Sequence, residues 1–386
     1  MPIPRFHRVT IGELDNDVSS SPMNTLFNVA DLDANGRPDI FTSGRNGQMA
    51  WFANPGREGA WERRLVSEVK NQECGGLAYD LTGNGLPDIV NGGDYQSDEL
   101  AWWENPGPES CCAWQRRLIA KTGGSQFHDE AIGDVTGDGR LSLVFCNQFA
   151  AQGAGASLSV VPLPADPRVS PWSGLVVVTE GRKGKGQAEE GLVIADLDGD
   201  GQNEIVFGCH WYKYNRETGS WSAHRYAADY ITSVIAVGDV DGDGRPEIVL
   251  SEGDACIYGY PEGGKLGWFK PGPDIRAPWT EHWIAETLRD PHSLQLADLC
   301  GRGHADLIVG EIGKKETLET EPPRLLLFAN DGQGNFTNHP IEQGVGTHHA
   351  RLADFRGTGR LDIASRSLHG PDRWKIYVWY NEGFVG

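Results

Sequence analysis

The stretch VIADLDGDGQNEIVFG, from Val193 to Gly208, decides the fold. It reads as a short apolar strand, an acidic loop and a second apolar strand. With Asp196 as position 1, Asp198 stands at 3, Asp200 at 5, Gly201 at 6 and Glu204 at 9. Carboxylates at that spacing, with a glycine for the sharp bend, suit a hard cation with oxygen ligands. The bidentate glutamate that an EF-hand places at position 12 is missing, and the loop joins strands, not helices.

The stretch recurs. Its seven copies lead with Asp31, Asp80, Asp134, Asp196, Asp239, Asp298 and Asp354. The shortest interval runs from Asp196 to Asp239 and the longest from Asp134 to Asp196. Repeats of roughly 40–50 residues with several short strands each mean propeller blades. A third strand follows each pair, as in MAWFANPG from Met49, LAWWENPGP from Leu100 and LGWFKPGP from Leu266. A fourth begins on an aromatic, as in WERRLVSE from Trp61, WQRRLIAK from Trp114 and WTEHWIAE from Trp279. The Pro-Gly pair between them is turn chemistry.

The termini fit this reading. WKIYVWYNEG, from Trp374, is a third strand with no fourth after it, and PRFHRVTIGE, from Pro4, is a fourth strand with no blade before it. We therefore expect an all-β chain, residues 1–386 forming a single seven-bladed β-propeller with four-stranded blades. The N-terminal strand completes the last blade and closes the ring, which also pairs an otherwise open edge. One region departs from the pattern: ASLSVVPLPADPRVSPWSGLVVVTEG, from Ala156, followed by the basic stretch GRKGKGQ from Gly181.

A formal net charge of −20 argues against nucleic acid and anionic membranes as partners. No run is long enough to cross a bilayer, so no membrane insertion is expected. The seven cysteines, Cys111 among them, are odd in number and show no CxxC spacing, so no disulfide framework is expected. Those thiols, with no apolar signal segment near Met1, favour a cytoplasmic protein, while calcium-type loops fill more readily outside the cell.

The acidic loops are unequal. Carboxylate or amide oxygens at positions 1, 3, 5 and 9 stand in three copies, while the Asp80 loop brings the hydroxyl of Thr82 and the Asp134 loop those of Thr136 and Ser142, weaker ligands. The three are Asp31, Asp33, Asn35 and Asp39; Asp196, Asp198, Asp200 and Glu204; and Asp239, Asp241, Asp243 and Glu247. Structural calcium is expected in about these three loops. Arg302 and Arg356 enter the last two, where a guanidinium replaces a metal.

Six residues before each leading aspartate stand Thr25, Cys74, His128, Glu190, Ser233, His292 and His348. Equivalent positions in a ring converge on its axis. His128, Glu190, His292 and His348 form a candidate axial site for a divalent zinc, manganese or iron ion. Asp129 and Glu189 are placed to fix imidazole tautomers. His210, His349 and Tyr230 are candidate proton acceptors beside these ligands. Arg45, Asp94, Trp211, Tyr212, Lys213, Glu252, Glu311 and Arg366 are candidates for holding a substrate at the same mouth.

With the loops and the aromatic Asn-Pro strands in view, the chain resembles the FG-GAP/VCBS-repeat propellers of integrin-α-like type. Its blades resemble most the propeller domain of aldos-2-ulose (anhydrofructose) dehydratase. That resemblance implies a metal-assisted carbon–oxygen lyase, a dehydratase or isomerase, acting on a sugar-derived carbonyl or uronate. Such enzymes carry cupin-type domains that these residues do not include. The alternative is a non-catalytic carbohydrate- or protein-binding propeller with structural calcium only. Hydrolysis by a metal-bound water is a third reading. No GxSxG, P-loop or GxGxxG context is found, so triad hydrolysis, nucleotide binding and NAD chemistry are set aside.

Overall fold

A computed structural model describes residues 2–15, 23–45, 47–110, 112–153, 155–313 and 317–384. Cys111 lies outside the described residues. Among the described residues the chain is all-β, in seven four-stranded antiparallel sheets. Six sheets use consecutive strands. The seventh runs in the order Pro4–Glu13, Lys375–Phe384, Asp362–Ser365 and Arg351–Ala353, so the N-terminal strand supplies its outer member. Val9 faces Val378 and His7 faces Tyr380 across that antiparallel pair.

The first strands stand nearest the axis. They are Asn24–Ala30, Leu77–Tyr79, Ser125–Gly133, Leu192–Ala195, Ser233–Gly238, Pro291–Ala297 and Arg351–Ala353. Asn24–Ala30 packs on Arg351–Ala353 and closes the ring. Second strands such as Asp39–Gly44 and Glu247–Glu252 are buried along their whole length, whereas fourth strands such as Glu62–Ser67 are exposed over much of theirs. Burial on both faces gives the second strands their continuous apolar runs.

Seven apolar clusters fill the seven gaps between blades. Ile40, Phe52, Trp61, Phe355 and Val378 join the first blade to the last, and Trp211, Tyr226, Tyr230, Phe269 and Trp279 join the fourth to the fifth. The thiols of Cys146, Cys209 and Cys300 sit in such clusters as small hydrophobes.

The polar positions of the fourth strands cover the tryptophans of the third. Arg64 lies 4.9 Å over the Trp51 ring, and His224 and His282 stack on Trp211 and Trp268 at 4.2 and 4.0 Å. These are directly opposed cross-strand pairs, the unit of sheet stabilisation. The departing region from Ala156 supplies Ala156–Pro162 and Val176–Arg182, the third and fourth strands of the third blade. The basic stretch after it is pinned to the fifth blade: Lys185 N donates to Tyr230 O at 2.8 Å, and its ammonium lies 4.1 Å over the Tyr260 ring.

Candidate axial site

At one end of the ring the acidic loops hold themselves together. Asp31 accepts from Asn35 N at 2.9 Å and from Gly36 N at 2.7 Å, and Asp80, Asp239 and Asp298 repeat the arrangement. The position-6 glycine has positive φ in every copy, 83° at Gly36 and 85° at Gly201, a backbone only glycine adopts freely. The position-9 carboxylate is buried and ties two segments: Asp39 accepts from Leu32 N at 3.0 Å and Asn54 N at 2.7 Å. Asn54 Nδ2 then donates to Phe355 O of the neighbouring blade at 2.9 Å. Asn105 and Asn330 make the same bridge to Leu32 O and Val240 O, both at 2.8 Å. The repeated asparagine after the aromatic strand is thus an inter-blade clasp, a role its position in the sequence does not disclose.

Carboxylate oxygens of Asp31, Asp33 and Asp39 gather within 4.8 Å of one another, as do those of Asp196, Asp198 and Glu204, and of Asp239, Asp241 and Glu247. Two of these clusters contain a lysine. Lys213 Nζ lies 2.6 Å from Asp198 and Asp200 and 2.9 Å from Glu204. Lys270 Nζ pairs with Asp241, and with Asp243 at 2.7 Å. Lys213 therefore belongs to the acidic rim and not to a substrate mouth, because it lies past the middle of the third strand His210–Asn215, which returns to the loop end. Asp31, Asp33 and Asp39 meet no cationic side chain within ion-pair distance among the described residues. Asp33 Oδ1 is buried without a hydrogen-bond partner, and burial lifts Asp39 to about 7. That oxygen set fits calcium. In the last two loops Arg302 Nη2 reaches Asp306 at 2.5 Å and Arg356 Nη2 reaches Asp362 at 3.7 Å.

At the other end of the channel the ring of matching positions closes on the axis. His128 Nε2 lies 3.3 Å and His292 Nε2 3.8 Å from Glu190 Oε2. The His292 and His348 rings are 4.8 Å apart, and those of His348 and His349 are 4.3 Å apart. Cys74 Sγ stands 3.9 Å from His348 Nε2. The ring thus splits into two potential ligand groups, His128–Glu190–His292 and Cys74–His348–His349. Thr25 and Ser233, at the same address, are tied off on Ser43 Oγ and Glu190 O.

A local irregularity aims the two central histidines. In the third blade the register passes from Phe127 to Asp129, and in the sixth from Pro291 to Ser293, leaving His128 and His292 as the extra residues of β-bulges. A bulge turns an unpaired residue's side chain away from the strand's alternation.

Glu190 is fully buried, and neither of its oxygens makes a hydrogen bond. Burial raises its pKa well above the carboxylate range. Burial opposes protonation of His128, yet Glu190 and Asp129 outweigh it and raise His128 well above the usual histidine value. Asp129 Oδ2 lies 3.0 Å from His128 Nδ1 and accepts from Gly191 N at 3.1 Å. Burial lowers His292, and lowers His348 and His349 further. A buried carboxylate without a donor, flanked by two imidazoles, is a donor set that a divalent cation satisfies.

Beside this ring lies a cavity of about 260 Å³, lined by His128, Asp129, Glu130, His292, His349 and Arg351 among others. Burial, reinforced by Asp129, raises Glu130 to about 8. A Cβ on Gly75 would come within 1.8 Å of Glu130 Oε2, so the glycine makes room for that carboxyl.

The remaining candidates are employed elsewhere. Trp211 and Tyr212 are buried between blades, one on each side of their strand. Tyr230 is buried too and donates to Glu281 Oε1 at 2.7 Å, so it is no base at the axis. Glu252 accepts from Ile231 N and Lys265 N, and Glu311 from Arg289 N and Arg324. His210 bonds Arg182 and lies 3.5 Å from Glu189, outside the histidine ring. Arg45 pairs with Glu73 at 2.6 Å beside the buried Asp94. Arg366 is buried against Leu26 O and Ser43 O. Asp254, read from the sequence as closing a second strand at this mouth, has Oδ1 3.8 Å from His292 Nε2. Tyr258 went unread; its hydroxyl is pushed up by burial and by Glu190 and Asp254, and the extra length after the second strand of the fifth blade was its one signal.

Ring, loops and clasps define a seven-bladed β-propeller of four-stranded blades. Residues 196–250 match the family model described as FG-GAP-like repeat. No curated protein sequence matches the chain. Among solved structures it is similar to the rhamnogalacturonan lyase YesW at 14% identity and TM-score 0.54, over 98% of this chain and 77% of that one. It is also similar to the V. cholerae biofilm matrix protein Bap1 at 11% identity and TM-score 0.52, over 99% and 92%. A third likeness is to BBS1N, solved in complex with ARL6DN, at 10% identity and TM-score 0.53, over 99% and 100%. Likeness at these identities concerns the fold.

Proposed function

We propose that this propeller is a metal-assisted carbon–oxygen lyase acting on a small carbohydrate-derived carbonyl or uronate in its central channel. The observation that carries the reading is Glu190, fully buried, without a hydrogen bond, between His128 and His292. A divalent ion held by these three residues supplies Lewis acidity toward a carbonyl, which weakens the adjacent C–H bond. Asp129 fixes the His128 ring through Nδ1 and leaves Nε2 facing Glu190. His349 lines the channel with Nε2 unpartnered, in position to take the proton. Glu130 lines the same cavity with both oxygens unpartnered, in position to protonate the departing hydroxyl. Elimination then balances: a C–H and a C–O bond break, a C=C bond forms, and water leaves.

Two resemblances support the substrate class without fixing it. The blades resemble those of a dehydratase of oxidised sugars, and one protein of like fold is a rhamnogalacturonan lyase. The test is elemental analysis of the wild type and of a His128→Ala/His292→Ala variant after mild chelation. The expected result is transition metal in the wild type alone, with calcium unchanged. Keto-sugars and uronates are then screened by the ultraviolet absorbance of the new conjugated bond. Calcium alone in both proteins overturns the reading and leaves glycan binding without catalysis.

A further inference from the structure

The channel holds one more charged group, and its chemistry narrows the substrate. Three residues before the leading aspartates stand Asn28, Leu77, Ala131, Val193, Ala236, Gln295 and Arg351. The three polar members all line the 260 Å³ cavity. Arg351 Nε donates to Asn28 Oδ1 at 3.1 Å and Nη1 to Ala350 O at 2.9 Å. Among the described residues no carboxylate lies within ion-pair distance of this guanidinium, and Nη2 has no hydrogen-bond partner. The other arginines near the axis differ. Arg45 has Glu73, and Arg366 is buried behind Ser43 and does not line the cavity.

Asp129, in the same cavity, acts on this guanidinium only from beyond ion-pair distance, so a direct partner is left to an anion that arrives with the ligand. The planar edge of the guanidinium suits a carboxylate, which takes two parallel N–H bonds. Placement agrees. Arg351 lines the same cavity as His128, His292 and His349, so one small ligand can meet both the guanidinium and the histidines. Size agrees as well: 260 Å³ falls just below the roughly 300 Å³ at which pockets for drug-sized ligands begin.

We propose that Arg351, positioned by Asn28 and flanked by Gln295, binds the carboxylate of a monomeric sugar acid whose other end lies at His128, Glu190 and His292. The inference rests on the lyase reading of the same channel. It makes the substrate a free uronate or keto-aldonate and excludes a neutral sugar or a polysaccharide chain.

The test is calorimetric binding to the purified protein as isolated, with metal content measured alongside. The probes are galacturonate, glucuronate, their methyl esters and galactose. The acids should bind about 50-fold more tightly than the esters or galactose, and Arg351→Met should erase that preference while metal content and Tm are retained. Arg351→Lys should restore part of it, since charge returns without the planar fork. Equal binding of acid and ester, a preference surviving in Arg351→Met, or no binding of either acid overturns the inference. The two readings fail separately. Acid preference through Arg351 without metal or turnover sinks the lyase and leaves the carboxylate site. Metal with turnover of neutral sugars sinks the carboxylate site and leaves the lyase.

Discussion

The two ends of the propeller axis carry similar residues and treat them in opposite ways. At the acidic rim each position-9 carboxylate is tied to backbone amides: Asp39 takes two, Glu204 takes Leu197 N and pairs with Lys213, and Asp306 takes Cys300 N, Asn330 N and Arg302. At the histidine ring Glu190 makes no hydrogen bond at all and faces only the imidazoles of His128 and His292, at 3.3 and 3.8 Å, and His348 Nδ1 and His349 Nε2 are unpartnered as well. The position-9 acids fold the protein; Glu190 is held against the interest of folding. Such unsatisfied buried groups persist where a ligand or a reaction uses them.

The sharpest way to break this contrast is to remove one acid from each end. Glu190→Leu should bring transition-metal content to background. In chelated protein it should leave stability unchanged or raise it, because a buried carboxyl that makes no hydrogen bond gives way to an apolar side chain. Thermal unfolding with and without chelator reads both effects, and a large loss of stability in the chelated variant would place Glu190 with the structural acids. Asn330→Ala at the rim should do the reverse. Asn330 Nδ2 bonds Val240 O and Ala305 O while Oδ1 accepts from Gly332 N, so its loss should cost about 2–4 kcal/mol with metal content untouched. Asp129→Asn comes next, with a metal affinity about 10–100-fold weaker, since Asp129 orients His128 without facing Glu190. Competition with a chelator of known affinity measures it.

Much of this was legible in the chain itself. Seven acidic loops with fixed glycines dictated the blades, and the two unmatched terminal strands dictated ring closure. The convergence of His128, Glu190 and His292 followed from counting backwards from each leading aspartate. What could not be read was which way side chains face once blades pack on both sides of a strand. Trp211 and Tyr212 are neighbours in sequence, and each fills a different inter-blade cluster, so neither is left for a ligand. The acids closing the second strands, Glu252 and Glu311, are consumed by nearby backbone amides, which no spacing announces. The bulges that aim His128 and His292 depend on partner strands and carry no local signature. Arg351 was legible as a cation suited to a uronate carboxylate, and Asn28 and Gln295 were within reach of the same counting at a different offset.

The smallest expected effect concerns the rim alone and sharpens what its lysines do. An ammonium inside an acidic loop supplies the charge that calcium would otherwise bring, as Lys270 does for Asp241 and Asp243. The Asp31 loop has no such cation, and the third strand of its blade ends in Ala53 where the fifth blade has Lys270. Calcium should therefore stabilise the wild type through the Asp31 loop, and Asp33→Asn should remove most of that response. Lys270→Met should lower stability by about 1 kcal/mol in chelator, the scale of a partly exposed ion-pair network. It should then regain the loss in calcium, because the freed carboxylates now resemble those of the Asp31 loop. The comparison requires Tm in chelator and in millimolar calcium for all three proteins. If Lys270→Met is destabilised equally in both, the lysine acts by packing and the loop is no latent cation site. If Asp33→Asn responds to calcium as the wild type does, the response arises elsewhere on the rim.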